Sequence, residues 1–272
     1  AFSRFLDIIY GKGSEICLHT PEQFTTNSKL LEEALEYTKI KYKSSSWIDH
    51  GYNNKAENNR EDLVCDATLK KSPYYSMDKW EKYDLKYFWN SYYEDYFTFM
   101  NYIFNSSIEK AYSGWGDFIP KPDYWQHTSR TQNIYHWPTA SALFIENDAL
   151  WNYNFSKLKF EDFIANWSVE INHCYPAWVD PKKGFWKYDK DSVIVAQNGF
   201  NNTLQLMSEL RDEGKLNVCT VNDFMDYQLS TKKLEYEILV DGRIKITNKS
   251  NKPIKGLSFA TKAKYVLVDR IK

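Results

Sequence analysis

For most of its length the chain alternates short apolar runs with stretches of helical periodicity, and no other feature limits its fold as strongly. The strand candidates are residues 15–19, 46–50, 85–89, 133–137, 168–173 and 216–221. A strand followed by a helix and another strand must cross back over the sheet. Repetition of that unit gives a parallel sheet or a barrel with helices outside. Two helices are well marked. NSKLLEEALEYTKIKY sets Leu31, Leu35 and Thr38 beside Leu30, Ala34 and Tyr37 on one stripe, with Asn27 or Ser28 as its cap. FNNTLQLMSELRDEG puts Phe200, Leu204, Met207 and Leu210 on one face, and Gly214 ends it. NDFMDYQL reads as a final short helix.

Two segments interrupt this rhythm. Residues 90–131 are aromatic and rich in Asn, Ser and Pro, and residues 176–199 form a second irregular stretch. Excursions of that length in a compact domain are more often lids or binding loops than filler. From Thr231 the period changes to two, with Asp241-Gly242 and the NKSNKP cluster as turn signals. The expected organisation is therefore an α/β domain over residues 1–230 and a small antiparallel β appendage over 231–272. That appendage is too short for a sandwich of its own, so it leans on the larger domain or is cut short at Lys272.

Composition removes several classes of function. With Lys+Arg 35 against Asp+Glu 36 and a net charge of -1, there is no basic run interleaved with aromatics to attract nucleic acid or an anionic membrane. No apolar run reaches the roughly 18 residues of a membrane span, and AFSRFLDIIYGKG lacks the layout of a signal peptide. Cys17, Cys65, Cys174 and Cys219 are far apart, three of them in apolar, strand-like runs, so neither a disulfide frame nor a zinc knuckle is expected. Aromatic residues make up 17% of the chain, enough both for a ring-rich core and for sugar-stacking surfaces.

The histidines are concentrated at strand ends. Of five, His19, His50 and His173 each close a strand candidate, and His136 lies near the end of a fourth. In parallel α/β folds the carboxyl ends of the strands share one face, and active sites are built there. Imidazoles converging with Glu22, Asp49 or Asp66 suit a divalent, zinc-like ion and hydrolytic chemistry, although no His-x-x-x-His or Cys-x-x-Cys spacing is present.

GSEICLHTPEQF, residues 13–24, resembles the second motif of the polysaccharide deacetylases, the NodB-like carbohydrate esterases. Gly13, Glu15, Ile16, His19 and Thr20 match it, while Gln23 stands where the family has a second metal-binding histidine. WIDHG keeps the glycine of the third motif at Gly51, LKYFW resembles the fourth at Trp89, and INHCYP resembles the last at His173. The family's opening strand, ending in Asp-Asp-Gly, is not found in the residues before Gly13, as expected of a fragment or a divergent member. The resemblance implies a distorted (β/α)7-type barrel acting on an acylated amino sugar in a glycan. It implies His19 and His50 as metal ligands, His173 as the catalytic acid, and Asp49 and Glu22 as further catalytic carboxylates. Trp89, Arg130, His136 and Tyr175 would bind substrate, and a bacterial cell envelope or secreted location is favoured over the cytoplasm.

Two other readings stay open. A glycoside hydrolase on a related barrel would use two carboxylates from Glu22, Asp49 and Glu170, separated by about 5–5.5 Å for retention or about 6.5–9.5 Å for inversion. A non-catalytic carbohydrate-binding module would keep a degenerate site and bind glycan through the aromatic excursions.

Overall fold

The structure is a computed structural model that describes residues 2–19, 21, 25–49, 61–62, 66–90, 123–124, 135–137, 140–141, 148–165, 169, 171–173, 175–176 and 184–257. It divides into two compact units, Ala1–Asp223 and Phe224–Lys272.

The first unit opens with α1 (Phe2–Gly11), then α2 (Ser28–Tyr42), β1 (Ser46–Asp49), α3 (Met77–Lys82) and β2 (Tyr87–Asn90). Helix α2 starts where the sequence predicts, because Asn27 Oδ1 accepts from the Leu30 N–H at 2.9 Å and satisfies one of the orphan donors of the first turn. It ends at Lys43, which takes the left-handed conformation and returns its N–H to the last turn. Strands β1 and β2 pair in parallel with α3 between them, so a βα repeat is present as read. Next come β3 (Asp123–Tyr124) and β4 (Tyr135–Trp137), and the four strands form one sheet in the order β1-β2-β4-β3. Strand β4 is parallel to β2, and β3 runs antiparallel at the edge. Leu18 adds a single parallel bridge to Trp47 on the other side of β1, with the Ile48 N–H donating to the Leu18 carbonyl at 3.0 Å. The expected strand over 15–19 is reduced to that bridge.

One core lies between this sheet and its helices. Trp47 and Phe88 project from β1 and β2 onto Leu31 and Leu35 of α2 and Met77 and Trp80 of α3, with Ala67, Tyr83 and Leu85 completing the cluster. Full burial of each large apolar side chain is worth about 1.5–3 kcal/mol. Only Leu31, Leu35, Thr38 and Tyr42 of α2 are buried, so the stripe is narrower than periodicity suggests and Tyr37 faces solvent.

Further along lie β5 (Ala140–Ser141), α4 (Asp148–Asn154), α5 (Lys157–Ala165) and β6 (Asn172–His173). A hairpin of β7 (Trp186–Tyr188) and β8 (Ile194–Ala196) precedes α6 (Asn198–Asp212) and α7 (Val221–Thr231). Strands β5 and β6 pair in parallel across α4 and α5. The hairpin gives the excursion at 176–199 a regular core, its turn fixed by Asp189 Oδ1, which accepts from the N–H groups of Asp191 and Val193. A second aromatic core joins Trp151, Phe155, Phe160, Phe163, Phe185 and Leu210. There α6 buries Gly199, Thr203 and Leu210, whereas Leu204, expected on the inner face, is 49% exposed.

Residues 216–221 correct the sequence reading. Leu216 to Thr220 form no strand, and Val221 begins α7. Thr220 Oγ1 accepts from the Asp223 N–H at 3.1 Å, so a helix cap claims the end of that apolar run. Cys219, expected inside a strand, is exposed.

The described sheets are small, and none is closed among the described residues. No helix among the described residues is long and apolar enough to cross a membrane. The boundary between the units falls inside α7 rather than after it. The second unit carries the antiparallel hairpin expected after Thr231, β9 (Leu234–Ile238) with β10 (Ile244–Asn248), turning at Gly242 with φ +83.

Candidate functional site

The sheet order brings the chain's strand-end residues to one edge. In the strand register Leu18 faces Trp47, Trp47 faces Phe88 and Phe88 faces His136. One residue further on, Ile48 faces Trp89 and Trp89 faces Trp137. His19 directly follows Leu18, so it stands level with Ile48 at the head of that second row. Adjacent strands lie about 4.8 Å apart, which makes His19, Ile48, Trp89 and Trp137 successive neighbours at the carboxyl ends of parallel strands. Asp49 closes β1 one step beyond, paired with Asn90, and His50 follows it in the chain.

Alternation separates the two faces of this edge. Leu18, Trp47 and Phe88 belong to the helix-covered core, whereas Ser46, Ile48, Tyr87 and Trp89 point to the other side. His19 is partly buried, and Trp89 and Trp137, further along the same row, are 3% and 4% exposed.

Below the row, a carboxylate ties three elements together. Ser46 Oγ donates to Glu15 Oε1 at 2.5 Å, the Asn222 N–H donates to Glu15 Oε2 at 3.0 Å, and Ser46 Oγ also lies 2.6 Å from Asn222 Oδ1. Asn222 sits in the first turn of α7, where a negative side chain meets unsatisfied N–H groups and the positive end of the helix dipole. Burial, with a smaller contribution from the Glu15 charge, pushes the neighbouring Cys17 thiol up to about 12. That thiol is neutral at physiological pH and packs as an apolar group.

Two further acids are bonded to segments that flank this sheet. Glu61 and Asp62 are 1% and 0% exposed. Glu61 Oε1 accepts from the Thr26 N–H at 3.0 Å, and Asp62 Oδ1 accepts from the Trp47 indole N–H at 2.9 Å. Periodicity gives no hint of either, since both belong to the polar run NNREDLVCD; only the fold brings them to Thr26 and Trp47.

Of the residues read from the sequence, His19, Trp89 and the backbone of Asp49 are brought together at this edge, and the backbone of His136 lies one strand beyond Phe88. His173 ends β6 in the separate two-stranded sheet, opposite Ser141, and Tyr175 follows it, partly buried. Glu22, His50, Arg130 and Glu170 lie outside the described residues. Among the described residues no group of three or more His, Cys, Asp or Glu side chains is placed to hold a metal ion. Glu15, Glu61 and Asp62 are engaged as above, and His19 stands on the candidate edge with the backbone of Asp49 on the adjacent strand. Asn154, one of five Asn-x-Ser/Thr sequons with Asn105, Asn166, Asn201 and Asn248, is 1% exposed and closed to glycosylation in the folded chain. Comparison of the chain with protein-family models, with curated proteins and with solved structures finds no match.

Proposed function

We propose that this chain is a polysaccharide deacetylase-like hydrolase acting on an acylated amino sugar in a glycan, on a distorted (β/α)7-type barrel. The observation that carries the reading is the position of His19. The one histidine inside the motif-like stretch Gly13–Thr20 stands at the carboxyl end of a parallel array, level with Trp89 and next to the strand that ends in Asp49. Supporting the barrel is the bond from Glu15, beside the first parallel segment, to Asn222 at the start of α7, which joins the beginning and end of the α/β region.

In this reading the amide C–N bond of the acyl group breaks and a C–O bond from water forms, releasing a carboxylic acid and a free amine. Asp49 or Glu22 takes the proton of the attacking water, and His173 delivers one to the departing nitrogen. A zinc-like divalent ion held by His19 and His50 would supply polarisation of the acyl carbonyl. Trp89, His136, Tyr175 and Arg130 would position the sugar, and the protein acts outside the cytoplasm, at a bacterial cell envelope or secreted.

The test is acetate release from N-acetylated chito-oligosaccharide, with and without added Zn²⁺, by the protein and by His19→Ala and His173→Ala. The expected result is release by the parent, reduced at least 100-fold in each variant. Glycan binding with no release from the parent would replace this reading with the carbohydrate-binding module. Shortened sugar chains instead of acetate would replace it with the glycoside hydrolase.

A further inference from the structure

We propose that Glu61 and Asp62 are positioning residues for the strand-end site, acting as a two-armed brace that fixes the entry to α2, downstream of His19 in the chain, against the strand carrying Asp49. The inference rests on the reading of that edge as the functional one. The two acids are adjacent in sequence, both fully buried, and each spends a carboxylate oxygen on a different arm. Glu61 reaches the Thr26 N–H at 3.0 Å, at the end of the connection that begins with His19 and just before the Asn27 cap of α2. Asp62 reaches the Trp47 indole at 2.9 Å, and Trp47 lies in β1 two residues before Asp49.

A buried carboxylate must be desolvated as well as bonded, so each of these acids depends on donors held in fixed places, among them the Thr26 N–H for Glu61 and the Trp47 indole N–H for Asp62. Two consecutive ones, one bonded to the residue before the α2 cap and the other to a side chain of β1, tie those two segments together. The local chain is itself held down: the Ala67 N–H donates to the Asp62 carbonyl, Ala67 is fully buried in the helix-side core, and the Ser76 N–H donates to the Ala67 carbonyl at 2.9 Å. The acids are therefore anchored from behind by the core and reach forward to the two site-bearing segments. Candidate catalytic groups on a loop need such support, because a displacement of about 1 Å costs on the order of 100-fold in rate.

The experiment compares the parent with Glu61→Gln, which keeps an acceptor oxygen for Thr26, and Glu61→Asp, which keeps the charge but falls one methylene short. Both changes are conservative enough to leave the fold in place, and the Ile48 and Phe88 amides report whether it is. Amide exchange and the His19 ring resonances are followed by NMR at fixed pH. In Glu61→Asp the Thr26 amide is expected to exchange at least tenfold faster and the His19 ring signals to shift and broaden, with Ile48 and Phe88 unchanged. Glu61→Gln is expected to restore both. Release of the Thr26 amide with the His19 ring signals unmoved would overturn the proposal, as would equal loss of protection at Ile48 and Phe88. If the parent releases acetate, kcat is expected to fall at least tenfold in Glu61→Asp with KM held; an unchanged kcat would also overturn it. If the parent releases none, the deacetylase reading fails and the two NMR measurements decide the brace alone.

Discussion

The backbone N–H of Asn222 donates to Glu15 Oε2 at 3.0 Å across a separation of 207 residues. The same carboxylate takes the Ser46 hydroxyl on its other oxygen, so one side chain joins the first parallel segment, β1 and the start of α7. Such a bond closes a long stretch of chain, and it works only after both ends have reached their places.

Replacing Glu15 with Ala removes two hydrogen bonds to a charged acceptor and strands the Asn222 N–H, while the Ser46 hydroxyl keeps Asn222 Oδ1 as an acceptor at 2.6 Å. At about 1.5–3 kcal/mol for each charged-group bond, with partial rescue by water, the expected loss is about 2–4 kcal/mol. Glu15→Gln, which keeps an acceptor, is expected to lose about half as much. Urea unfolding at unchanged m-value measures both. An Ala variant within about 0.5 kcal/mol of the parent would show that the clasp carries no stability.

The contrast between what could and could not be read from the sequence follows the range of each signal. Asn27 capping α2, Gly214 ending α6 with φ +71 and Asp241-Gly242 turning the hairpin are local, and all three were legible. Helix α1, with Phe2, Phe5 and Ile8 exposed, was not read from the sequence, and nothing in a local pattern separates an apolar face turned outward from one turned inward. Residues 216–221 looked like a strand because their apolar content is strand-like, but a strand also needs a neighbour, and Thr220 offered a helix cap instead. Glu15, Glu61 and Asp62 owe their roles to partners 207, 35 and 15 residues away, separations over which periodicity carries no information. The candidate site was thus half legible: strand-end histidines can be read from sequence, but the groups that hold them cannot.

Gly199 of α6 lies in tight contact with Asp148 and Trp151 of α4 in the second core. A Cβ there would stand 2.5 Å from Trp151 Cβ and 2.9 Å from the Asp148 carbonyl oxygen, while the Gly199 N–H already donates to Asp148 Oδ1 at 2.6 Å. Backbone and a buried indole cannot give way cheaply, so Gly199→Ala is expected to cost about 2–3 kcal/mol. Gly11→Ala, which meets nothing within 4 Å at the end of α1, is the control. It is expected to be neutral or to stabilise by up to about 1 kcal/mol, because it narrows the unfolded ensemble. Thermal unfolding of the two variants side by side decides the comparison.

The cysteines should differ in reactivity by more than their exposure suggests. With its thiol pushed up to about 12, Cys17 presents a thiolate fraction on the order of one in ten thousand at pH 8. Cys219 is also raised, by burial first and then by the Asp223 charge, but its side chain is open to solvent. Iodoacetamide labelling followed by peptide mapping is expected to modify Cys219 early and Cys17 only on unfolding. Equal labelling of the two in the folded protein would contradict the buried setting of Cys17.

Tyr37 is the group whose titration should be most visible near neutral pH. Its hydroxyl lies 3.3 Å from Ser3 Oγ and accepts from Lys41 Nζ at 3.0 Å. Those two bonds, in that order, and a smaller one from Tyr42 lower its pKa to about 8. A phenol depressed in this way has released its proton between about pH 8 and about pH 10 while the unfolded chain still holds it. Its contribution to stability therefore grows with pH across that window, and is lost as pH falls through 8. Lys41 acts in the opposite sense. Bonded chiefly to Asp7 and then to Tyr37, it is held protonated above the ordinary lysine range, so its contribution is complete below that range and fades only at higher pH. The two windows are separate, so the Tyr37 step is not overlapped by that of Lys41. Subtracting the tyrosinate absorbance of Tyr37→Phe from that of the parent is expected to leave a titration step near pH 8, apart from any change at higher pH from Tyr42, which loses its bond to Tyr37. Lys41→Met, which removes one of the donors, is expected to move that step toward the ordinary value near 10. A parent step already at the ordinary value would show that the Ser3–Tyr37–Lys41 contacts between α1 and α2 do not persist in solution.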